Sequence, residues 1–372
     1  MSLLTIIVFL FSGMYILMVW AFYIGWLKTP VYHPQNTASI PVTILVACRN
    51  ESGRIQCLFD GLSRQNYPVH LWEVIFIDDH STDQTVEEIR KFQHAQPNCR
   101  LISLPEYQSG KKAALVAGQE LANGSLFLFT DADCSPSPGW ISTMASFFNQ
   151  YSSDLLLGPV MIDPVASVKD HLQKLEYMSL MASSSGACGL GHPIMAHAPN
   201  MGVRRETYRT FCHALDTRFA SGDDVFLLQA LKKGSRNKIH FVKTREALVS
   251  SKPAGGLPGF FSQRRRWASK AKGYTDPALV LVTLTVFILN TIIVAAALGS
   301  CFGFFSPRFL LILFGIKTAA DLPLMAAAMQ FYHFNKGWWF FLPLQIIYSP
   351  YVVLVGIISL FGKYSWKGRK IP

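Results

Sequence analysis

The sequence predicts an α/β domain with a mostly parallel sheet, flanked by transmembrane helices. Three observations carry that expectation. Apolar, β-branched runs alternate with helical stretches through the middle of the chain. Such alternation builds parallel sheets joined by helical crossovers. Acidic pairs stand at the ends of those runs, and long uncharged segments lie before and after them.

Composition narrows the class. Of 372 residues, 50% are hydrophobic and only 15% charged, against about 25% charged in soluble globular proteins. A disordered chain, a coiled coil and an ordinary soluble enzyme are excluded. The 34 Lys and Arg outnumber 23 Asp and Glu, for a net charge of +11. That excess suits nucleic acid or an anionic membrane face. The basic residues cluster beside the apolar spans, with no aromatic–basic module, so no nucleic-acid partner is expected. The seven cysteines (Cys48, Cys57, Cys99, Cys134, Cys188, Cys212, Cys301) form no CxxC pair. They predict free thiols in a reducing compartment rather than a zinc or redox site.

Leu3 to Trp26 carries no charge and exceeds the ~20 residues that cross a bilayer. It lacks a basic start and a small-x-small cleavage site, so residues 1–28 read as a retained anchor. Ile40–Ala47, Glu73–Ile77 and Ser125–Phe129 read as buried strands. Gly53–Gln65, Asp83–Gln96 and Lys111–Ala122 read as the helices between them. The soluble domain is placed at residues 38–275. A membrane region at 276–362 follows, with candidate spans at Ala278–Phe305, Phe309–Tyr332 and Gly337–Phe361, and then a basic tail at 363–372. Lys317 and Asp321 interrupt the middle span four residues apart, where they can pair on a helix. Positive charge on both the middle region and the tail places both in the cytoplasm. That requires an even number of spans between them, so the C-terminal count stays open at two or three.

The chemistry-bearing residues sit at strand ends, where open α/β sheets bind ligands. Asp78-Asp79-His80-Ser81-Thr82-Asp83 follows the second strand. Ser81, Thr82 or Asp83 can cap the next helix, but capping leaves the Asp pair unexplained. Asp131-Ala132-Asp133 follows the third strand. Residues two apart in extended chain face one side, and paired carboxylates suit Mg²⁺ or Mn²⁺. Asp223-Asp224 opens an apolar helical run, where the alternatives are a cap and a general base. Gly110-Lys111-Lys112 opens a helix whose amides attract phosphate, or is a solvated lysine pair. Gln263-Arg264-Arg265-Arg266-Trp267 precedes the second span. Arginines there can bind lipid headgroups, but Arg also grips phosphate and Trp offers a flat face to a sugar. His192, His197 and His213 are isolated and are assigned no metal.

In this order these segments resemble the membrane-bound family 2 glycosyltransferases of GT-A (nucleotide-diphospho-sugar transferase) fold. The resemblance covers residues 40–275 and the arrangement of spans around them. Val46-Ala47-Cys48-Arg49-Asn50-Glu51 and Pro199-Asn200-Met201-Gly202-Val203-Arg204-Arg205 complete the series. Cellulose, hyaluronan and poly-N-acetylglucosamine synthases belong to this superfamily, as do non-processive lipid glycosyltransferases. The resemblance implies that Cys48 and Glu51 line the nucleotide pocket and that Asp78 and Asp79 contact uridine. Lys111 or Lys112 approaches the diphosphate. Asp131 lies near the nucleotide and Asp133 ligates the metal. Asp224, after Asp223, is the general base. Gln263, Arg266 and Trp267 hold the diphosphate and the acceptor sugar. The chain departs from the family in having Asp223 where Glu is usual, and Cys48-Arg49 where Thr or Ser and an aromatic are usual.

The implied function is inverting hexosyl transfer from a nucleotide-diphospho-sugar, UDP-linked, to a lipid or glycan acceptor, with Mg²⁺ or Mn²⁺. The implied location is a bacterial inner membrane with the catalytic domain cytoplasmic. A processive polysaccharide synthase is the alternative, and an inactive membrane scaffold a remote one.

Overall fold

The computed structural model describes residues 3–34, 39–212, 222–234, 238–360, 364–366 and 369–371. His213, Ser221 and part of the basic tail lie outside them. The chain divides into two compact units that do not follow chain order. One holds residues 30–163, 195–252 and 365–372, the other residues 1–29, 164–194 and 253–364. The segments 164–194 and 253–275, read from the sequence as soluble domain, thus group with the apolar helices.

Helix α1 (Leu3–Lys28) opens the chain. The sheet unit then runs β1 (Val42–Cys48), α2 (Gln56–Ser63), β2 (Trp72–Asp78), α3 (Thr85–Ala95), β3 (Cys99–Ser103), α4 (Lys111–Glu120) and β4 (Leu126–Phe129). β1, β2 and β4 fall within one or two residues of the sequence expectation, and β3 was not expected from it. β5 (Cys134–Pro136), α5 (Trp140–Tyr151), β6 (Leu155–Leu157) and β7 (Val160–Ile162) follow. After helix α6 (Val168–Gly189) the sheet unit resumes with β8 (Met201–Arg204), α7 (Arg205–Phe211), α8 (Asp223–Gly234), β9 (Ile239–Phe241) and β10 (Val249–Ser251).

The main sheet has the order β3-β2-β1-β4-β8-β6-β9. Its first four strands are parallel, β8 is antiparallel to both neighbours, and β6 and β9 are parallel. The strand order reverses between β1 and β4, and a crevice opens at the carboxyl ends where such a reversal occurs. Cys48 pairs with Asp78 in register, so β1 and β2 end level with each other. A second sheet, β5-β10-β7, sets Cys134 opposite Ser251.

Both sheet faces are covered, which is why these strands read as continuous apolar runs. Ile44, Val46, Val74, Phe76 and Leu128 form one core with Leu58 and Phe59 of α2, Phe92 of α3 and Trp140 of α5. Phe59 and Phe92 stack at 4.3 Å. Truncating Ile44, which is fully buried, to alanine costs about 2–5 kcal/mol in such a site.

The second unit holds α1, α6, α9 (Gly256–Ser269), α10 (Pro277–Cys301), α11 (Pro307–Phe331) and α12 (Gly337–Leu360). Among the described residues, four stretches are long and apolar enough to span a membrane: Ile6–Lys28, Pro277–Cys301, Pro307–Phe331 and Gly337–Leu360. The segment carrying Lys317 and Asp321 is therefore a full-length helix. α6 starts at a capping box, in which Ser167 Oγ accepts from the Asp170 amide and Asp170 Oδ2 accepts from the Ser167 amide. It packs on α1 at backbone distance, since a Cβ on Gly25 would collide with the Gly186 carbonyl.

Lys317 donates to Asp321 Oδ2 at 2.9 Å and to Gln345 Oε1 at 2.5 Å. Tyr15 donates to Asp321 Oδ1 at 2.6 Å, and Gln345 Nε2 to Asp321 Oδ2 at 2.9 Å. The ion pair expected from the spacing is present, and two further helices complete it. All seven cysteines are free thiols.

Candidate active site

The carboxyl ends of β1, β2 and β4 carry the polar residues of the sheet unit. Asp79 is 1% exposed. Its amide donates to the Cys48 carbonyl at 2.8 Å, and its Oδ2 accepts the Gly110 amide at 3.0 Å. Asp79 thereby ties the end of β2 to the start of α4. Gly110 has φ 97°, a left-handed conformation that glycine takes without a Cβ penalty. Asp78 accepts the Ser81 amide at 3.2 Å and shapes the turn after β2. Arg49 donates to the carbonyls of Asp79 and His80 at 2.5 and 3.3 Å. The Glu51 amide donates to Thr85 Oγ1 at 2.7 Å, and Glu51 itself is buried. The Cys48 side chain lies in the apolar core, its Sγ 3.7 Å from the Val46 carbonyl.

Past β4, Asp131 and Asp133 are half-buried and Cys134 is buried. One donor atom from each of the three lies within 4.8 Å of the others. Burial, with Asp133 and Asp131 beside it, pushes the Cys134 thiol up. Asp131 and Asp133 could supply hard oxygen donors, which fit Mg²⁺ or Mn²⁺.

Lys111 joins this cluster to α8. Its Nζ lies 2.6 Å from Asp131 Oδ1 and 3.5 Å from Asp223 Oδ2. Burial opposes its charge, but the carboxylates of Asp131 and Asp223 outweigh burial and hold the ammonium above the usual lysine range. Lys112 points elsewhere, with its Nζ 5.2 Å from the centre of the Phe226 ring.

Asp223 and Asp224 are both buried in the first turn of α8, after Gly222 at φ 100°. Acids there meet the positive end of the helix dipole. Asp224 Oδ1 accepts its neighbour's amide, Val225 N–H, at 2.8 Å, and Oδ2 accepts the Ala198 amide at 3.2 Å. The short turn carrying Ala198 is pinned by Asn200. Asn200 donates to the carbonyls of Pro159 and Ala247 at 2.8 and 2.7 Å and accepts from Trp140 Nε1 at 2.9 Å.

The structure thus brings together Asp131, Asp133, Lys111 and Asp223. Asp224 adjoins them in sequence on α8, and Asp78, Asp79 and Glu51 act on the flanking loops. Gln263, Arg266 and Trp267 stand on α9, in the other unit. Gln263 Oε1 accepts from Arg264 Nη1 at 2.5 Å, and the Trp267 ring lies 5.9 Å from the Tyr177 ring. The sequence reading missed Cys134, Asn200 as the anchor of the Ala198 turn, and Arg264. Arg264 lay within the motif already singled out. Asn200 lay within the singled-out Pro199–Arg205 segment, and nothing local marked Cys134.

Residues 43–211 match the model of the family described as Glycosyl transferase family 2. A stretch of 125 residues is 32% identical to Glycosyltransferase AglE of Haloferax volcanii, covering 33% of this chain and 41% of that protein. A stretch of 122 residues is 31% identical to Dodecaprenyl-phosphate galacturonate synthase of Rhizobium johnstonii, covering 32% of this chain and 36% of that protein. The chain therefore spans less than half the length of these curated relatives. The solved mannosyltransferase PcManGT from Pyrobaculum calidifontis, in complex with GDP-Man and Mn²⁺, covers 96% of this chain and 99% of its own. The TM-score is 0.55 at 18% identity, a likeness of fold.

Proposed function

We propose, for a chain that carries a family 2 glycosyltransferase domain at residues 43–211, an inverting transfer of a sugar from a nucleotide-diphospho-sugar to a lipid-phosphate acceptor. The observation that carries this reading is the cluster at the strand ends. Asp131 and Asp223 face one ammonium, Asp133 lies beside Asp131, and Asp224 adjoins them at the start of α8.

Asp224 takes the proton from the acceptor hydroxyl as that oxygen attacks the anomeric carbon. The two amides on its oxygens fix the carboxylate's orientation, and general bases of this kind contribute about 10²–10⁴-fold. The sugar passes through an oxocarbenium-like state. A single base suffices for inversion. The leaving diphosphate gains charge, and Lys111 with Arg266 is the basic set assigned to it. Mg²⁺ or Mn²⁺ held by Asp131 and Asp133 would neutralise further charge there. Asp78, Asp79 and Glu51 shape the nucleotide side, while Gln263 and Trp267 grip the acceptor. Cys48 contributes its backbone rather than its sulfur.

Two observations support a lipid acceptor. Four helices are long enough to span a membrane, and one relative is named for a dodecaprenyl-phosphate product. The location assigned is the cytoplasmic face of a bacterial inner membrane. The Gln263-x-x-Arg266-Trp267 motif favours a second reading, processive synthesis.

The test supplies membranes bearing the full chain with UDP-glucose, UDP-galactose, UDP-N-acetylglucosamine or GDP-mannose, together with Mg²⁺ or Mn²⁺ and a polyprenyl phosphate. Sugar in the lipid extract from one donor, reduced about 10³-fold in Asp224→Asn, supports the reading. A ladder of long products supports the processive alternative. Equal rates in Asp224→Asn remove Asp224 as base.

A further inference from the structure

The Gln263–Trp267 motif has a buried centre. Arg264 is 3% exposed, while Gln263, Arg266 and Trp267 beside it are half-buried. Its guanidinium clamps the Glu176 carboxylate of α6, with Nε 3.0 Å from Oε1 and 3.2 Å from Oε2, and Nη2 also on Oε2. The Tyr351 hydroxyl of α12 donates to the same Glu176 Oε1 at 2.8 Å. Nη1 reaches Gln263 Oε1 at 2.5 Å. The face of the guanidinium lies 4.3 Å from the centre of the Trp267 ring and 4.7 Å from that of Phe260.

One buried cation therefore touches two of the three motif residues that the proposed function uses, and it is itself held from two other helices. Each contact depends on the planar fork. Bidentate pairing takes one edge of the guanidinium, the amide oxygen another, and indole stacking the face. Stability alone does not call for this arrangement, because apolar groups of equal volume commonly replace a buried ion pair at no loss.

We infer that Arg264, clamped by Glu176, which Tyr351 holds in turn, is the positioning residue that fixes Gln263 and Trp267. What those two side chains grip rests on the proposed function. It follows that small errors at Arg264 become errors in acceptor placement, where a shift of about 1 Å can cost about 10²-fold in rate.

The test separates positioning from support. Glu176→Leu, Arg264→Met and Tyr351→Phe combined in the full chain remove the buried ion pair and the hydroxyl on it together, leaving Gln263 in place and no orphaned charge. The expected protein is folded, with near wild-type thermal stability, and about 100-fold slower in transfer. A folded triple variant with the wild-type rate overturns the inference. Should the triple variant not fold, Arg264→Lys decides, since it keeps the charge and loses the fork. Slow transfer is expected, and a wild-type rate overturns the inference.

A second readout needs no activity. Acrylamide quenching of Trp267, obtained by subtracting the Trp267→Phe protein, rises when Arg264 no longer covers the ring. If the wild type transfers nothing from any of the four donors, the proposed function fails and quenching alone judges Arg264. Unchanged quenching in the triple variant and in Arg264→Lys overturns the inference.

Discussion

Two lysine–aspartate pairs sit in the two units and have opposite surroundings. Lys317 and Asp321 are 1% and 13% exposed, and Tyr15 and Gln345 take up their remaining hydrogen-bonding groups. Lys111 and Asp131 are 16% and 36% exposed, and one ammonium there faces Asp131 and Asp223, with Asp133 alongside. The first cluster balances itself. In apolar surroundings an intramembrane charge persists when paired in this way. The second gathers more negative charge than its lysine offsets and stands open to solvent, which is the condition for admitting a cation. The same two residue types thus hold helices together in one unit and leave an excess of carboxylate in the other.

The comparison breaks most visibly at Asp133. Asp133→Asn should lower sugar transfer about 10³-fold, in the range seen when a charge-stabilising group is lost from an active site. Chelation of divalent ions should reproduce the loss in the unmodified protein. Nucleotide diphosphate release measures both. Full activity in Asp133→Asn and in chelator would place no cation there.

Lys317→Met should do the reverse. It strands Asp321 among apolar helices at a cost of about 3 kcal/mol, read as a lowered midpoint of unfolding in detergent. Transfer per folded molecule should hold. Adding Asp321→Leu should restore most of the stability, because both charges then leave together. A stable Lys317→Met protein without transfer would move this cluster into the catalytic machinery.

The contrast also explains what could be read from the sequence. The three strands and their acidic ends were legible because both sheet faces are buried, which forces apolar runs closed by polar turns. Lys317 and Asp321 were legible because a helix places i and i+4 together. Tyr15 and Gln345 were not, since only tertiary packing brings α1 and α12 to α11. Helix α6 was the hardest case. Asp170, Gln173, Lys174 and Glu176 are all buried, so its inward face reads as polar and hides its membership of the apolar unit. Glu176 acquires meaning only from Arg264 and Tyr351, 88 and 175 positions away. The link from Lys111 to Asp223 was equally invisible, because it joins the starts of two separate helices.

A third lysine gives the finest test, with the smallest expected effect. Lys243, just after β9, is 6% exposed, and burial pushes its ammonium down to about 8. Lys111 is half-buried but moves upward, since the carboxylates facing it outweigh burial. An unfolded lysine titrates near 10.4. Between about pH 8 and 10.4 the unfolded chain therefore holds a proton at residue 243 that the folded protein has released. Stability rises with pH wherever the unfolded state binds more protons. The penalty at Lys243 is thus fully present below about pH 8 and fades above it. Lys111, raised above its unfolded value, contributes stability that persists through this window and is lost only at higher pH. Equilibrium unfolding of the full chain in detergent should show a shallow rise in stability from pH 8 to 10. Lys243→Met should flatten that rise and be more stable than its parent at pH 7, whereas Lys111→Met should keep the slope and lose stability throughout. An unaltered slope in Lys243→Met would mean that this ammonium reaches water, and burial would no longer separate the two lysines.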